Sequence, residues 1–222
     1  MSLDQIERKS EKPTPVNNSW EAYRNSLNEQ RETLRSIVEK HFPNRYLALE
    51  TCLAVKALHL IEGITLPLFL ILMGGPGSGK TTLLDMVYSE RDCYRTDSFT
   101  AKSFVTHVSS VSRDMLASID LLPKIKDKTF LTPELAPTFS SRDDNLMEIL
   151  GILTRVLDGK GLEKDSGVHG KRGYSGNYFF TWIGAVVEIP RRVWHLMGNL
   201  GPKIHFSFCT FLASFHRWYL SR

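Results

Sequence analysis

The segment LPLFLILMGGPGSGKTTLL, Leu66 to Leu84, constrains this chain more than any other. Leu66 to Met73 is apolar at every residue but Pro67, the composition of a strand buried on both faces of a parallel sheet. Directly behind it Gly74, Gly79, Lys80 and Thr81 fit G-x-x-x-x-G-K-[ST], and a helical pattern follows. Glycines let backbone N–H groups turn inward around phosphate oxygens, and the helix N-terminus adds partial positive charge. The sequence therefore predicts a nucleotide-phosphate site on Gly75, Pro76, Gly77, Ser78, Gly79, Lys80, Thr81 and Thr82. Lys80 is expected to reach the β and γ phosphates, and the Thr81 hydroxyl to ligate Mg2+.

The rest of the chain is arranged around that loop. Residues 1–17 are polar, carry Pro13 and Pro15, and read as an arm. Residues 18–62 read as a helical segment: Trp20, Tyr23, Leu27, Leu34, Ile37 and Val38 recur at helical spacing up to Pro43, and a second helix runs from Arg45 to about Ile61. Residues 63–208 form the core and 209–222 a short tail. Within the core a second strand near Cys93 ends at Asp97. A helix capped by Thr100 carries Phe104, Val105, Val108, Val111, Met115, Leu116 and Ile119. KTFLTPELA reads as a third strand ending at Glu134. Asp143 and Asp144 open a helix with Leu146, Ile149, Leu150, Leu153, Val156 and Leu157 on its apolar side. Glycines 167, 170, 173 and 176 punctuate an inserted hairpin that leads into the strand FFTWIGAVV, and a short helix and the strand KIHF follow. This alternation predicts a three-layer α/β/α fold with a mainly parallel five-stranded sheet.

Composition narrows the class. At 222 residues with 42% hydrophobic content the chain suits one medium domain. The balance of 28 Lys+Arg against 24 Asp+Glu is compatible with nucleic acid without demanding it. Cys52, Cys93 and Cys209 are scattered and lack metal-ligand spacing, which fits a reducing compartment. The N-terminal residues have no apolar centre of a secretory signal, and Ile64 to Met73 is about half the length that crosses a bilayer. The expectation is a cytoplasmic protein that does not enter a membrane.

Hydrolysis of a bound triphosphate also needs carboxylates. Glu134 stands where ligands of parallel sheets lie, beyond the carboxyl ends of the strands, and is the candidate to orient water. Thr132 and Pro133 precede it, where such a strand usually carries an aspartate. Asp97 and Asp120 are the alternative metal carboxylates, although Asp120 reads equally well as a helix-end cap.

The order of loop, Glu134 strand, helix, hairpin, FFTWIGAVV, IPRRVW and KIHF resembles the core of an AAA+ ATPase, over about residues 64 to 208. The hairpin makes it most similar to the branch with viral and plasmid replicative helicases. The resemblance implies that Glu134 is the hydrolytic glutamate and that a sensor position falls near Val187 and Glu188. It also implies a trans-acting cation, for which Arg191, Arg192 and Lys203 are the candidates; a solvated helix start is the plainer reading of the two arginines. The working form would be a homo-oligomeric ring or filament. The hairpin, with His169, Lys171, Arg172 and nearby Tyr174, would touch DNA, so that ATP hydrolysis drives helicase-like handling of nucleic acid. SFCTFLASFHRWYLSR is too short for the helical lid of such a module.

Two other functions remain open from sequence. GGPGSGKTT followed by TDSFT is similar to the start of nucleoside kinases, which would make Asp97 a general base for an acceptor hydroxyl. The aspartate missing before Glu134 and the missing lid suit a nucleotide switch without turnover.

Overall fold

The computed structural model describes residues 15–106, 113–166, 170–198 and 203–209. The chain divides into two compact units, Met1–Pro43 and Asn44–Arg222. In the first, helix α1 spans Pro15–His41 and ends just before Pro43, whose ring disfavours helical geometry in the preceding residue. Trp20 and Tyr23 pack their rings 5.8 Å apart along it.

The second unit opens with α2 (Tyr46–Ala57). Next come β1 (Leu68–Met73), α3 (Lys80–Val87) and β2 (Cys93–Arg95). Three short helices follow, α4 (Ala101–Phe104), α5 (Arg113–Ile119) and α6 (Leu121–Ile125), before β3 (Thr129–Thr132). The chain continues through α7 (Ala136–Phe139), α8 (Asp143–Val156), β4 (Gly161–Ser166), β5 (Gly170–Ser175), β6 (Thr181–Val186), α9 (Arg191–Met197) and β7 (Ile204–Phe208). β2, β3, β6, β1 and β7 form one sheet in that order, and every pairing in it is parallel. Two strands thus separate β1 from β2, and β6 lies between β1 and β3.

Alternation along the strands builds two cores. Phe69, Ile71 and Met73 of β1 share one cluster with Phe130, Trp182, Phe104, Leu122, Leu146 and Leu153. Trp182 is its centre, stacked on Phe69 at 3.9 Å and inclined to Phe130 at 4.9 Å. The opposite face, with Leu70, Leu72, Ile183 and Ala185, is covered by α2 and α3. The result is the three-layer α/β/α arrangement that the strand and helix alternation predicts, with the sheet parallel throughout.

One segment differs from expectation for an identifiable reason, and the expected hairpin forms a sheet of its own. The single helix expected from Thr100 to Ile119 starts as predicted, with Thr100 N donating to Ser103 Oγ at 3.1 Å, but stops at Phe104. Thr106 N donates to the Asp120 carboxylate at 2.9 Å, which takes that amide out of the helical ladder. Val105 is accordingly extended, and Val108 and Val111 lie outside the described residues. The hairpin β4–β5 is a separate two-stranded antiparallel sheet. Gly173, at φ 120°, makes its closeness possible: a Cβ there would lie 2.1 Å from the Leu162 carbonyl.

Candidate functional site

The glycine loop is anchored on both sides. Gly74 N donates to Val186 O of β6 at 3.3 Å, and Cys209 N, just past β7, donates to Met73 O at 2.8 Å. Gly74 is pressed against the loop it begins, since a Cβ would stand 2.6 Å from Ser78 Oγ. The chain then reverses through Gly77 at φ 73° and Gly79 at φ 82°, left-handed values that glycine adopts without strain. Leu83 N donates to Gly79 O at 3.0 Å, which starts α3. The first turn of α3 carries no acidic side chain, so nothing within it offsets the positive end of its dipole.

Lys80 is buried in this turn. Its Nζ donates to Gly74 O at 2.6 Å, Gly75 O at 3.0 Å and Ser78 Oγ at 3.2 Å. Burial pushes its pKa below the ordinary lysine value, while the charges of Cys209 and Glu134 act in the other direction. The ammonium therefore already sits over the loop, held by acceptors that phosphate oxygens can replace. Thr81, next on the helix, is exposed, and Thr82 is half-buried.

Glu134 stands beside this loop but one strand removed. β3 ends at Thr132, two residues earlier than expected, and Glu134 lies in the turn into α7. Leu135 N donates to Ala185 O at 2.8 Å, which pins that turn to the end of β6. Gly184 provides the space: a Cβ on it would stand 2.6 Å from Leu135 Cδ1 and 2.8 Å from Thr132 Oγ1. One Glu134 oxygen accepts Ala136 N at 3.0 Å, and the side chain is exposed. Neighbouring strands are ~4.8 Å apart, so the end of β3, two strands over, stands ~10 Å from the end of β1, where the loop begins. Thr132, where an aspartate is usual nearby, turns into the core and accepts Trp182 Nε1 at 2.9 Å.

The other predicted residues are placed as follows. Asp97 is exposed just beyond β2 at the sheet edge, ~14 Å from β1 by the same strand spacing. Asp120 is 1% exposed and accepts Thr106 N, Thr106 Oγ1 at 2.7 Å and Tyr174 OH at 2.8 Å, so its bonds run to the hairpin side and not to the loop. Val187 and Glu188 are exposed directly after β6, beside the start of the loop. Arg192 is a clamp on the α7–α8 connection, donating to Phe139 O at 3.0 Å and Ser141 O at 2.9 Å and pairing with Asp143. Lys203 is tied to the end of α8 through Thr154 O at 3.2 Å and Asp158. Arg191 is exposed. On the hairpin, Lys171 pairs with Glu163 at 3.0 Å and Arg172 is half-buried; His169 lies outside the described residues.

One cation beside the loop has no motif to announce it. Arg45, at the start of α2, lays its side chain against Gly79: Nε would be 3.4 Å from a Cβ at that position. Its charge also reaches Cys209, where it opposes the upward push of burial on the thiol. No periodicity or spacing marks a residue 29 positions upstream of Gly74, so only the fold reveals it. The assembled elements are a glycine turn, Lys80, Arg45 and an exposed carboxylate across β6, a set that can bind a polyphosphate and hold a water at its far end.

No protein-family model matches this chain, and no curated protein matches it. Among solved structures, the S. cerevisiae Hsp104-ADP complex is similar, with 14% identity and a TM-score of 0.40 over 82% of this chain. The chain spans about a third of that protein, the match covering 36% of it. Among the described residues no helix is long and apolar enough to cross a membrane, and no group of three or more His, Cys, Asp or Glu clusters as a metal site.

Proposed function

We propose that this chain binds ATP on the Gly74–Thr82 loop and hydrolyses it, with Glu134 orienting the attacking water. The observation that carries this reading is Lys80, buried at the mouth of a left-handed glycine turn and within electrostatic reach of Glu134. In the bound state the loop amides and Lys80 cradle the phosphates, and Arg45 adds positive charge at the Gly79 side. Glu134 accepts a hydrogen bond from water and draws it toward the γ-phosphate, while its engaged oxygen, on Ala136 N, keeps the carboxylate in place. The exposed Thr81 hydroxyl would ligate a magnesium ion arriving with the nucleotide, and that ion would supply neutralisation of charge on the phosphates. Asp120 suits that role poorly, because three donors already occupy its carboxylate. Asp97 is exposed and remains the carboxylate open to such a role.

Hydrolysis is favoured over transfer to a small acceptor because Asp97 follows the edge strand β2, two strands beyond β6, whereas Glu134 follows β3, the strand next to β6. Coupling to DNA and assembly into a ring or filament, with Arg191 as the cation offered to a neighbour, extend the same proposal. ATP turnover by the purified chain, measured with and without single-stranded DNA and with added nucleosides, separates these readings. Phosphate release that is lost in Glu134→Gln supports the ATPase, and DNA stimulation supports the coupling. Nucleoside-dependent ADP formation lost in Asp97→Asn would establish a kinase instead, and tight ATP binding without turnover a switch.

A further inference from the structure

Val105, Thr106, Leu116 and Asp120 and the strands β4 and β5 line a cleft of about 290 Å³ that shares no lining residue with the glycine loop. Thr106, Asp120, Glu163, Lys171, Arg172 and Tyr174 supply its polar wall. Most of these groups are already partnered. The Thr106 and Tyr174 hydroxyls both donate to Asp120, and Lys171 pairs with Glu163. Arg172 is different: its Nε is buried and has no hydrogen-bond partner. A buried guanidinium N–H without an acceptor is costly, and its planar fork matches the oxygens of a phosphate or carboxylate.

We propose that this cleft binds a small hydroxylated oxyanion, a phosphate ester or a hydroxy-carboxylate, through Arg172. Its volume is at the lower end of ligand pockets, which run from roughly 300 to 1,000 Å³. The same wall carries Asp120, its carboxylate already taken by three donors, and Glu163; both repel a long polyanion, and Glu163 accepts hydrogen bonds from ligand hydroxyls. A nucleic-acid strand, with a charge on every phosphate, is thereby disfavoured against a compact ligand with one anionic group. The Thr106 oxygen, its proton directed at Asp120, keeps acceptor capacity for those hydroxyls as well.

The test uses the full chain with Lys80→Ala, so that the glycine loop does not compete for phosphate and the outcome is independent of the nucleotide reading. Inorganic phosphate, glycerate and a 15-nucleotide single-stranded DNA are titrated separately, followed by calorimetry and by the Arg172 Nε–H NMR resonance. Saturable binding of phosphate or glycerate that shifts that resonance, and weakens at least tenfold in Arg172→Gln but less in Arg172→Lys, is the expected result; which of the two binds tells the phosphate ester from the carboxylate. Arg172→Gln without ligand is expected to melt no lower than its parent, because an unpartnered buried donor has been removed. An unmoved resonance with both small anions, unchanged affinity in Arg172→Gln, or a response to DNA alone would overturn the proposal. If the glutamine variant fails to fold, the resonance measurement on the parent chain decides the matter.

Discussion

The two ends of the parallel sheet treat their polar groups in opposite ways. At the amino end, Thr129 and Thr181 face each other in register at the starts of β3 and β6, with hydroxyls 3.0 Å apart. His59 completes the chain with Nε2 at 3.0 Å from Thr181 Oγ1 and its ring edge against Phe179. These groups satisfy one another and lead nowhere. At the carboxyl end, Lys80 is held by backbone carbonyls of its own loop, and Glu134 has one engaged oxygen on an exposed side chain. Closed hydrogen-bond chains stabilise a fold, whereas groups with exchangeable partners beyond strand ends can take a ligand.

The contrast makes graded predictions. Lys80→Ala should weaken ATP binding by about 100-fold or more, the scale of losing a buried, hydrogen-bonded charge contact, as read by equilibrium titration. Glu134→Gln should lower turnover roughly 10²- to 10⁴-fold, the usual range for one group that directs proton transfer, with ATP affinity nearly unchanged. Gly184→Ala acts on the scaffold of the same end. Its methyl group meets Leu135 and Thr132 below 3 Å, and the cost should be about 1–3 kcal/mol in chemical denaturation together with reduced turnover.

Changes at the amino end should leave catalysis alone. Thr181→Val strands the fully buried Thr129 hydroxyl and should cost about 1 kcal/mol of stability with an unaltered turnover rate. The smallest effect is pH-dependent. Burial holds the His59 imidazole below its ordinary pKa, with the carboxylates of Asp127 and Asp92 pulling part of the way back. The folded state therefore favours neutral His59, so its contribution is whole above the unfolded value of 6.5 and is lost as pH falls through the lowered folded value. His59→Gln should flatten the fall in melting temperature between pH 7.5 and pH 5; an equal fall in both proteins would remove His59 from the account.

The carboxyl end was far more legible in sequence than what supports it. The loop and β1 carry a local signature, and α8 carries one as well: its predicted apolar positions, Leu146, Ile149, Leu150, Leu153, Val156 and Leu157, are all buried. What sequence does not reveal is which distant residues share a neighbourhood. Arg192 and Lys203 look like available cations until the fold places Asp143 and Asp158 beside them. Arg45 looks like an ordinary helix-start residue until α2 packs near the loop. The broken helix after Phe104 has the same origin, because Asp120 captures Thr106 across fourteen positions. Each of these misses is a long-range contact overriding a local pattern.

The central claim is that the glycine loop holds ATP for Glu134 to act on through water. A single-turnover assay with radiolabelled ATP, run on the parent chain and on Glu134→Gln with binding measured in the same samples, tests it most directly. The account predicts that both proteins bind ATP with similar affinity and that only the parent releases phosphate at an appreciable rate. Equal release by both proteins, or no ATP bound by the parent, would contradict it.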